Sequence, residues 1–325
     1  AYYWQSVNGQ LEIWRNQQAI ETVIAQPQTP EGLKHQLQSV LVMREFASRE
    51  LALPENGSYR KYADLDRPYV LWNVFAAPEF SIQPREWCFV IAGCVSYRGY
   101  FSESAAREFA ATLRAQGYDV FSGGVPAYST LGWFNDPVLN TFVHYPESEL
   151  ARLIFHELAH QLVYVTDDSM FNESFAAAVE QEGVRRWLDK NGNDAARAEF
   201  AAAQERKKGF IALVLRYRAR LGELYATNAS AQQKRADKTR IFNELKLEYA
   251  ALKAEWGGFS GYDRWFAQDI NNAHLASVAA YTRLVPAFQR LLAQEQGNLL
   301  AFYRRVKEIA QLPKAERSAH LGSPE

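Results

Sequence analysis

Two histidines spaced four residues apart constrain the fold of this 325-residue chain more than any other feature. They belong to the motif H-E-x-x-H at residues 156–160, inside a segment rich in leucine and isoleucine. Residues four apart on a helix point in nearly the same direction, so both imidazoles would project from one face. Pro146 suits the first turn of such a helix. The motif therefore predicts a helix that places His156 and His160 side by side.

This spacing suits the chemistry of a metal site. Two neutral imidazoles one turn apart can bind one tetrahedral zinc ion, so we predict His156 and His160 as ligands. Glu157, beside the first ligand, is the candidate general base that would take a proton from water. The alternative is a chance motif, with two histidines held by hydrogen bonds in the core. A third ligand decides between these hypotheses, because a catalytic zinc has three protein ligands and one open position.

Glu173 is the candidate third ligand. Twelve residues separate it from His160, and residues 171–180 belong to a predicted second helix with an apolar face, capped by Asp168 or Ser169. A buried glutamate on such a face is costly unless it is paired or metal-bound. Glu180 lies two turns later on the same face. We predict that Glu180 and Asn172 orient the metal ligands through hydrogen bonds without contacting the metal themselves. The alternative for Glu180 is an ordinary surface charge.

These two segments resemble the gluzincin metallopeptidases, in which H-E-x-x-H is followed by an N-E-x-F-A segment that carries the third ligand. Residues 172–176 read Asn-Glu-Ser-Phe-Ala, although the interval before them is shorter than in the well-known groups. The resemblance implies a zincin-like fold and one Zn²⁺ per chain, bound by His156, His160 and Glu173. It also implies peptide-bond hydrolysis by zinc-activated water, with Glu157 as the general base.

Nearly the whole chain resembles a bacterial family of predicted zinc aminopeptidases. The likeness is carried by residues 2–10, 93–101, 124–133, 153–160 and 271–288. Members usually carry a lipoprotein signal just before the opening Tyr-Tyr segment. The resemblance implies a periplasmic or envelope protein that contacts the membrane only through a lipid on a cysteine outside this sequence. The first residue is Ala1 rather than Met, which suggests a processed chain.

Recognition of the substrate is less completely specified by the sequence. Zinc aminopeptidases bind the free amine through a Gly-x-Met-Glu-Asn segment before the metal helix, and no such segment occurs here. Its positional equivalent is a predicted edge strand at residues 126–131, where Tyr128 and Ser129 would contact substrate. We therefore expect an aminopeptidase, with an endopeptidase as the alternative.

The resemblance also suggests a donor for the developing oxyanion. Related enzymes place a tyrosine on a C-terminal helix for this purpose, and Tyr281 is our first candidate, with Tyr128 as the second. The alternative for each is an ordinary core tyrosine with its hydroxyl in water. Asn271 and Asn272 either bind the substrate backbone or cap the helix that carries Tyr281.

Charge and hydropathy exclude other classes of function. The net charge is −1, so we expect no nucleic-acid partner, and no apolar run approaches the length of a membrane span. Cys88 and Cys94 lie in a predicted strand, Trp87 to Val95, where their Cα atoms would be roughly 20 Å apart. A disulfide needs a much shorter distance and hence a turn at Gly93, so we predict two free thiols.

The fold class that we predict is α+β and mostly α, as one metallopeptidase domain over residues 1–325. The predicted sub-regions are N-terminal helices (1–55), a small mixed β-sheet region (56–145), zinc-site helices (146–190), a long helical hairpin (198–256) and C-terminal helices (257–325). We expect the hairpin to be a solvated structural arm. Shorter predictions are helices at 2–24, 103–116 and 272–293 and strands at 69–75 and 118–121.

Three hypotheses of function stay open. The first is a zinc peptidase acting on peptides, the second is another zinc hydrolase that cleaves an amide or ester, and the third is a non-catalytic scaffold stabilised by zinc. Glu157 favours an enzyme, because a structural zinc site has no use for a carboxylate base beside an open coordination position.

Overall fold

The computed structural model describes residues 2–89, 93–127 and 129–322, with the backbone alone for residues 2–7 and 281. Within these residues the protein is mostly helical with small sheets, as the predicted α+β class requires. The helices are α1 (Tyr2–Asn16), α2 (Ile20–Ala25), α3 (Glu31–Arg49), α4 (Glu103–Ala115), α5 (Glu147–Leu162), α6 (Ser169–Asn191), α7 (Asp194–Ala226), α8 (Ala231–Glu255), α9 (Asp263–Phe266), α10 (Asn272–Thr282), α11 (Val285–Gln294), α12 (Leu299–Ala310) and α13 (Lys314–His320).

The strands form three small sheets rather than the single mixed sheet that we predicted. They are β1 (Gln17–Ala19), β2 (Lys61–Ala63), β3 (Leu71–Pro78), β4 (Trp87–Phe89), β5 (Gly93–Val95), β6 (Arg98–Tyr100), β7 (Tyr118–Val125) and β8 (Val138–Leu139). In the first sheet β2 pairs antiparallel with β1 and parallel with β8. In the second, β3 lies between antiparallel β6 and β7, and β4 and β5 form the third.

Two predictions failed where distant parts of the chain pair. The predicted helix over residues 2–24 is interrupted by β1, because residues 17–19 bond to β2 more than forty residues away. The predicted strand from Trp87 to Val95 is two antiparallel strands with Cys88 opposite Cys94. Gly93, at φ +71°, permits the reversal, and the two cysteines form a disulfide. The prediction of two free thiols is therefore wrong.

The predicted edge strand at residues 126–131 is also absent. Its described residues turn, since the backbone N–H of Thr130 donates to Asp136 Oδ2 at 3.0 Å and that of Leu131 to Ser129 Oγ at 3.0 Å. These side chains offer the backbone an alternative to a strand ladder. The strand beside this segment is β7, which is longer than predicted and lies at an edge of its sheet. Tyr128 lies outside the described residues.

Helix starts were predicted well where a side chain caps them. Ser102 Oγ accepts from the N–H of Ala105 at 3.3 Å, and Asp168 Oδ1 accepts from Phe171 at 3.1 Å, so α4 and α6 begin as predicted. The predicted helix over residues 272–293 is instead α10 and α11. It breaks before Pro286, which suits the first turn of a helix and not its interior.

Three buried clusters support this architecture. The largest contains α3, α5, α6, α11 and α12. A second joins the hairpin helices α7 and α8 to α10 around Val214, Tyr217 and Leu245, so the hairpin is part of the body and not a solvated arm. The third packs β3 and β7 on α4. Among the described residues, no helix has the length and hydrophobicity needed to cross a bilayer.

Candidate metal centre

Helices α5 and α6 form the candidate site and pack against each other. The apolar face of α5 is buried, with Leu153, Ile154 and Leu158 at most 5% exposed. The turn between the helices is held by Asn172, whose amide accepts from the N–H of Val165 and donates to its C=O, both at 2.8 Å. The packing of the two helices and the two hydrogen bonds of Asn172 fix the positions of the polar side chains on α5 and α6.

The two histidines of the motif and Glu173 converge. His156 Nε2 lies 3.1 Å from His160 Nε2 and 3.3 Å from Glu173 Oε2, and His160 Nε2 lies 3.5 Å from the same oxygen. Tetrahedral ligand atoms about 2.1 Å from a zinc ion lie roughly 3.4 Å from one another. The three side chains therefore have the spacing needed to bind one metal ion.

The hydrogen bonds of His156 also fit a metal. Its Nδ1 lies 2.8 Å from Glu180 Oε2, and donation there leaves a lone pair on Nε2. That lone pair faces the carboxylate of Glu173. The lone pair and the carboxylate repel each other unless a proton or a cation lies between them. His160 Nδ1 is buried, with no hydrogen-bond partner in the part of the chain that is described. The orienting bond of a metal-binding histidine is thus present for His156.

Glu180 is held as an anion behind His156. Burial would raise the pKa of Glu180, whose side chain is 2% exposed, but Lys207 and Arg152 hold that pKa well below its usual range. Arg152 Nη1 lies 3.1 Å from Glu180 Oε2, and Lys207 Nζ lies 3.2 Å from Oε1. Neither cation was among the predicted site residues. Arg152 precedes His156 by one helical turn, a spacing that could have identified it, whereas Lys207 comes from the hairpin.

Glu157 is buried beside the converging ligands. It is 9% exposed, and burial raises the pKa of its carboxyl above the usual range, although the two neighbouring imidazoles oppose the shift. A carboxylate with a raised pKa exchanges a proton with water more readily near neutral pH. The arrangement thus combines three side chains that could hold one metal ion with a carboxyl group suited to proton transfer.

The predicted substrate and oxyanion residues are less closely grouped. Tyr281 lies on α10, which packs against α6, but only its backbone is described. Ser129 Oγ is used within its own turn, as an acceptor from Leu131.

The two asparagines tie α10 to the second sheet. Asn271 caps α10 and donates to the C=O of Val120 at 3.2 Å. Asn272 is 2% exposed, donates to the C=O of Pro78 at 3.2 Å and accepts from the hydroxyl of Tyr225 at 2.8 Å. These bonds give both residues a structural role, and for Asn271 this role is the helix cap that was the alternative to a substrate contact.

Comparison with known proteins identifies the family. A family model described as "Putative aminopeptidase" matches residues 1–321. No curated protein matches the chain, and no solved structure matches it either. Because the family match spans almost the entire sequence, the chain belongs to the family described as "Putative aminopeptidase".

Proposed function

We propose that the protein is a zinc metallopeptidase with a zincin-like site, in which His156, His160 and Glu173 bind one Zn²⁺. The convergence of their three acceptor atoms, 3.1 to 3.5 Å apart, carries this proposal. Two imidazoles and one carboxylate are a donor set of catalytic zinc sites. When bound, zinc supplies a Lewis acid that polarises a carbonyl and lowers the pKa of water.

The protein's own residues move the proton. Glu157 takes a proton from the attacking water as the water oxygen bonds to the scissile carbonyl carbon. The C–N bond then breaks, and Glu157 delivers the same proton to the leaving nitrogen. Glu180 keeps the His156 ring in one orientation and one tautomer through the Nδ1 hydrogen bond. Tyr281, on the helix packed against α6, is our proposed oxyanion donor.

We propose aminopeptidase activity on peptides with a free amino terminus, which the family description supports. The organisation of residues 1–325 as a single metallopeptidase domain is part of this proposal. A location in the periplasm or cell envelope, with a lipid anchor on a cysteine outside this sequence, is part of the same proposal. The Cys88–Cys94 disulfide supports it, because disulfides persist in oxidising compartments.

Glu157→Gln tests the mechanism. Zinc-loaded wild type and variant are incubated with a peptide library in free and N-acetylated forms, and zinc content is measured in the same samples. We expect equal zinc content, release of N-terminal residues from free peptides by the wild type, and a rate lower by roughly 10²- to 10⁴-fold in the variant. Glu147→Gln is the matched control, because Glu147 is exposed and glutamine keeps an oxygen that can accept from Trp187 Nε1.

Each alternative gives a different result. Unchanged hydrolysis by zinc-loaded Glu157→Gln removes Glu157 from the mechanism. Internal cleavage of acetylated peptides identifies an endopeptidase. Cleavage of simple amides or esters without peptide cleavage identifies another zinc hydrolase. Zinc binding without hydrolysis of any of these compounds supports a zinc-stabilised scaffold.

A further inference from the structure

A cavity of about 360 Å³ lies between β3, β7, α7 and α10. Aromatic rings form much of its wall, from Phe75, Phe121, Phe210 and Tyr262. Aliphatic side chains add to the apolar surface, from Val125, Ile211 and Val278. Phe75 and Phe121 stack with their ring centroids 6.0 Å apart. This volume lies at the lower end of the range for small-molecule sites, so the cavity suits one large side chain.

The cavity lies close to the candidate metal centre. Lys207 lines it and bonds to one oxygen of Glu180, whose other oxygen bonds to His156. Just beyond the end of α10, the N–H of Leu284 donates to the hydroxyl of Ser174, the neighbour of Glu173. These two contacts connect the wall of the cavity and the end of α10 to α6, the helix that carries Glu173 and Glu180.

Most polar groups on the wall are already paired within the protein. Ser277 donates its hydroxyl to the C=O of His274, and Thr282 donates to that of Val278, both at 2.8 Å. The ammonium group of Lys207 pairs with Glu180. Because these polar groups are already bonded within the protein, the wall of the cavity that a ligand would contact is largely apolar.

Asn73 differs from these groups. It is 5% exposed, and its Oδ1 is buried with no hydrogen-bond partner among the described residues. Its cross-strand neighbours are Gly99 on β6 and Gly123 on β7, so no side chain flanks it on either side. An unpaired buried amide oxygen is unfavourable, and a turn of the Asn73 side chain towards the cavity would let an O–H or N–H from a ligand satisfy it.

We propose that this cavity binds a large aromatic side chain of the peptide substrate that carries a hydrogen-bond donor, tyrosine above all, with the donor bonded to Asn73 Oδ1. The inference rests on the proposed peptidase function and adds the substrate class. Aromatic walls suit a ring, and the hydroxyl of a buried tyrosine requires a partner. A site built to bind a hydroxyl discriminates against the analogue that lacks it.

The experiment begins with the zinc-loaded wild type and a peptide library whose cleavage sites are mapped by mass spectrometry. Cleavage is then compared for four peptides that differ only at the residue position for which the library shows a preference, where they carry Tyr, Phe, Leu or Ala. We expect kcat/KM for Tyr to exceed that for Phe by about tenfold, and both to exceed that for Ala. Asn73→Leu should reduce the Tyr-to-Phe ratio to about one, and its thermal unfolding shows whether it folds.

A second variant tests the cavity without changing the sheet. Ile211→Trp should fill the cavity and lower kcat/KM for Tyr and Phe by at least about tenfold relative to Ala. Ala212→Trp, which adds the same ring on the exposed side of α7, is the control and should change neither. Peptide cleavage without aromatic preference, or a Tyr-to-Phe ratio unchanged in folded Asn73→Leu, overturns this inference alone. Absence of any peptide cleavage by the wild type overturns the proposed function together with it.

Discussion

The carboxylate of Glu180 connects the candidate metal centre to the rest of the protein. One oxygen is shared between His156 Nδ1 and Arg152, and the other bonds to Lys207. Two cations around one buried carboxylate keep it ionised, and an ionised acceptor strengthens the bond from the imidazole. The basicity of His156 at its opposite nitrogen therefore depends on a residue that would not touch the metal.

We expect Glu180→Gln to weaken zinc binding by roughly 10- to 100-fold, because an amide is a poorer acceptor for His156 Nδ1 and leaves Arg152 and Lys207 without their anion. Competition with a chromophoric chelator measures the affinity. Glu149→Gln is the control, since Glu149 also pairs with Arg152 but has no bond to His156. Equal affinity of wild type and Glu180→Gln would exclude this supporting role.

Local spacing determines how much of the site the sequence could predict. His156, His160, Glu173 and Glu180 are placed on two helices by spacings of one or two turns, and these helices form as predicted. Lys207 reaches the site from a helix whose own sequence indicates only an exposed amphipathic segment. Its position depends on how the hairpin packs, and no local pattern carries that information.

At the scale of elements, the hairpin of β4 and β5 contacts the turn between α5 and α6, the helices of the candidate metal centre. The N–H of Cys94 donates to Asp167 Oδ1, and Gly93 lies so close to Thr166 and Asp167 that a side chain at that position would collide with them. Asp168, the next residue, caps α6. The disulfide thus closes a hairpin that rests on the segment joining α5 to α6.

Removal of the disulfide should lower the stability of the whole protein. For the short loop between Cys88 and Cys94, the chain-entropy relation gives a loss of about 2 kcal/mol in the free energy of unfolding. Urea unfolding with and without reductant measures this loss. The double variant Cys88→Ser, Cys94→Ser should show the lower stability and no further response to reductant. A wild type that is unaffected by reductant would contradict this stabilising role.

His274 should make the start of α10 sensitive to acid. Its Nδ1 accepts from the N–H of Asn271 at 3.3 Å, and burial, with Arg114 and Lys246 nearby, lowers its pKa from 6.5 to about 4. A folded-state pKa below the unfolded value means that the unfolded chain binds the proton more tightly. The stabilisation is therefore complete above pH 6.5 and is lost as the pH falls towards 4, by about 3 kcal/mol.

The variant His274→Gln isolates this effect. Urea unfolding of metal-free wild type and variant is compared between pH 7 and pH 4. The free energy of unfolding of the wild type should fall more steeply with acid, because only the wild type takes up the additional proton on unfolding. Parallel curves for the two proteins would show that His274 does not titrate in this range.

The elements that were predicted correctly are those whose ends are determined by residues close by in the sequence. Caps at Ser102 and Asp168 indicate where α4 and α6 begin. Strands depend on partners elsewhere in the chain, so β1 and the β4–β5 hairpin were missed. The turn after β7 was missed for a different reason, because short polar side chains at Ser129 and Asp136 replace strand pairing with local hydrogen bonds.

At the scale of the whole molecule, α10 joins regions that are distant in sequence. It packs on α6 of the candidate metal centre, on β3 and β7 of the second sheet, and on α7 of the hairpin. The cavity lined by Asn73 lies where these elements meet. Sequence patterns predict each of these elements separately, whereas the shape of the space between them depends on packing over the whole fold.

The most direct test of the proposed metal centre is the zinc content of the purified protein after zinc loading and exhaustive dialysis. We expect about one zinc ion per wild-type chain and a large loss of zinc from the Glu173→Gln variant, because the variant lacks the carboxylate, one of the three proposed ligands. Circular dichroism shows whether the variant is folded. A wild type that retains no zinc, or a Glu173→Gln variant that retains as much zinc as the wild type, would contradict the proposed metal centre.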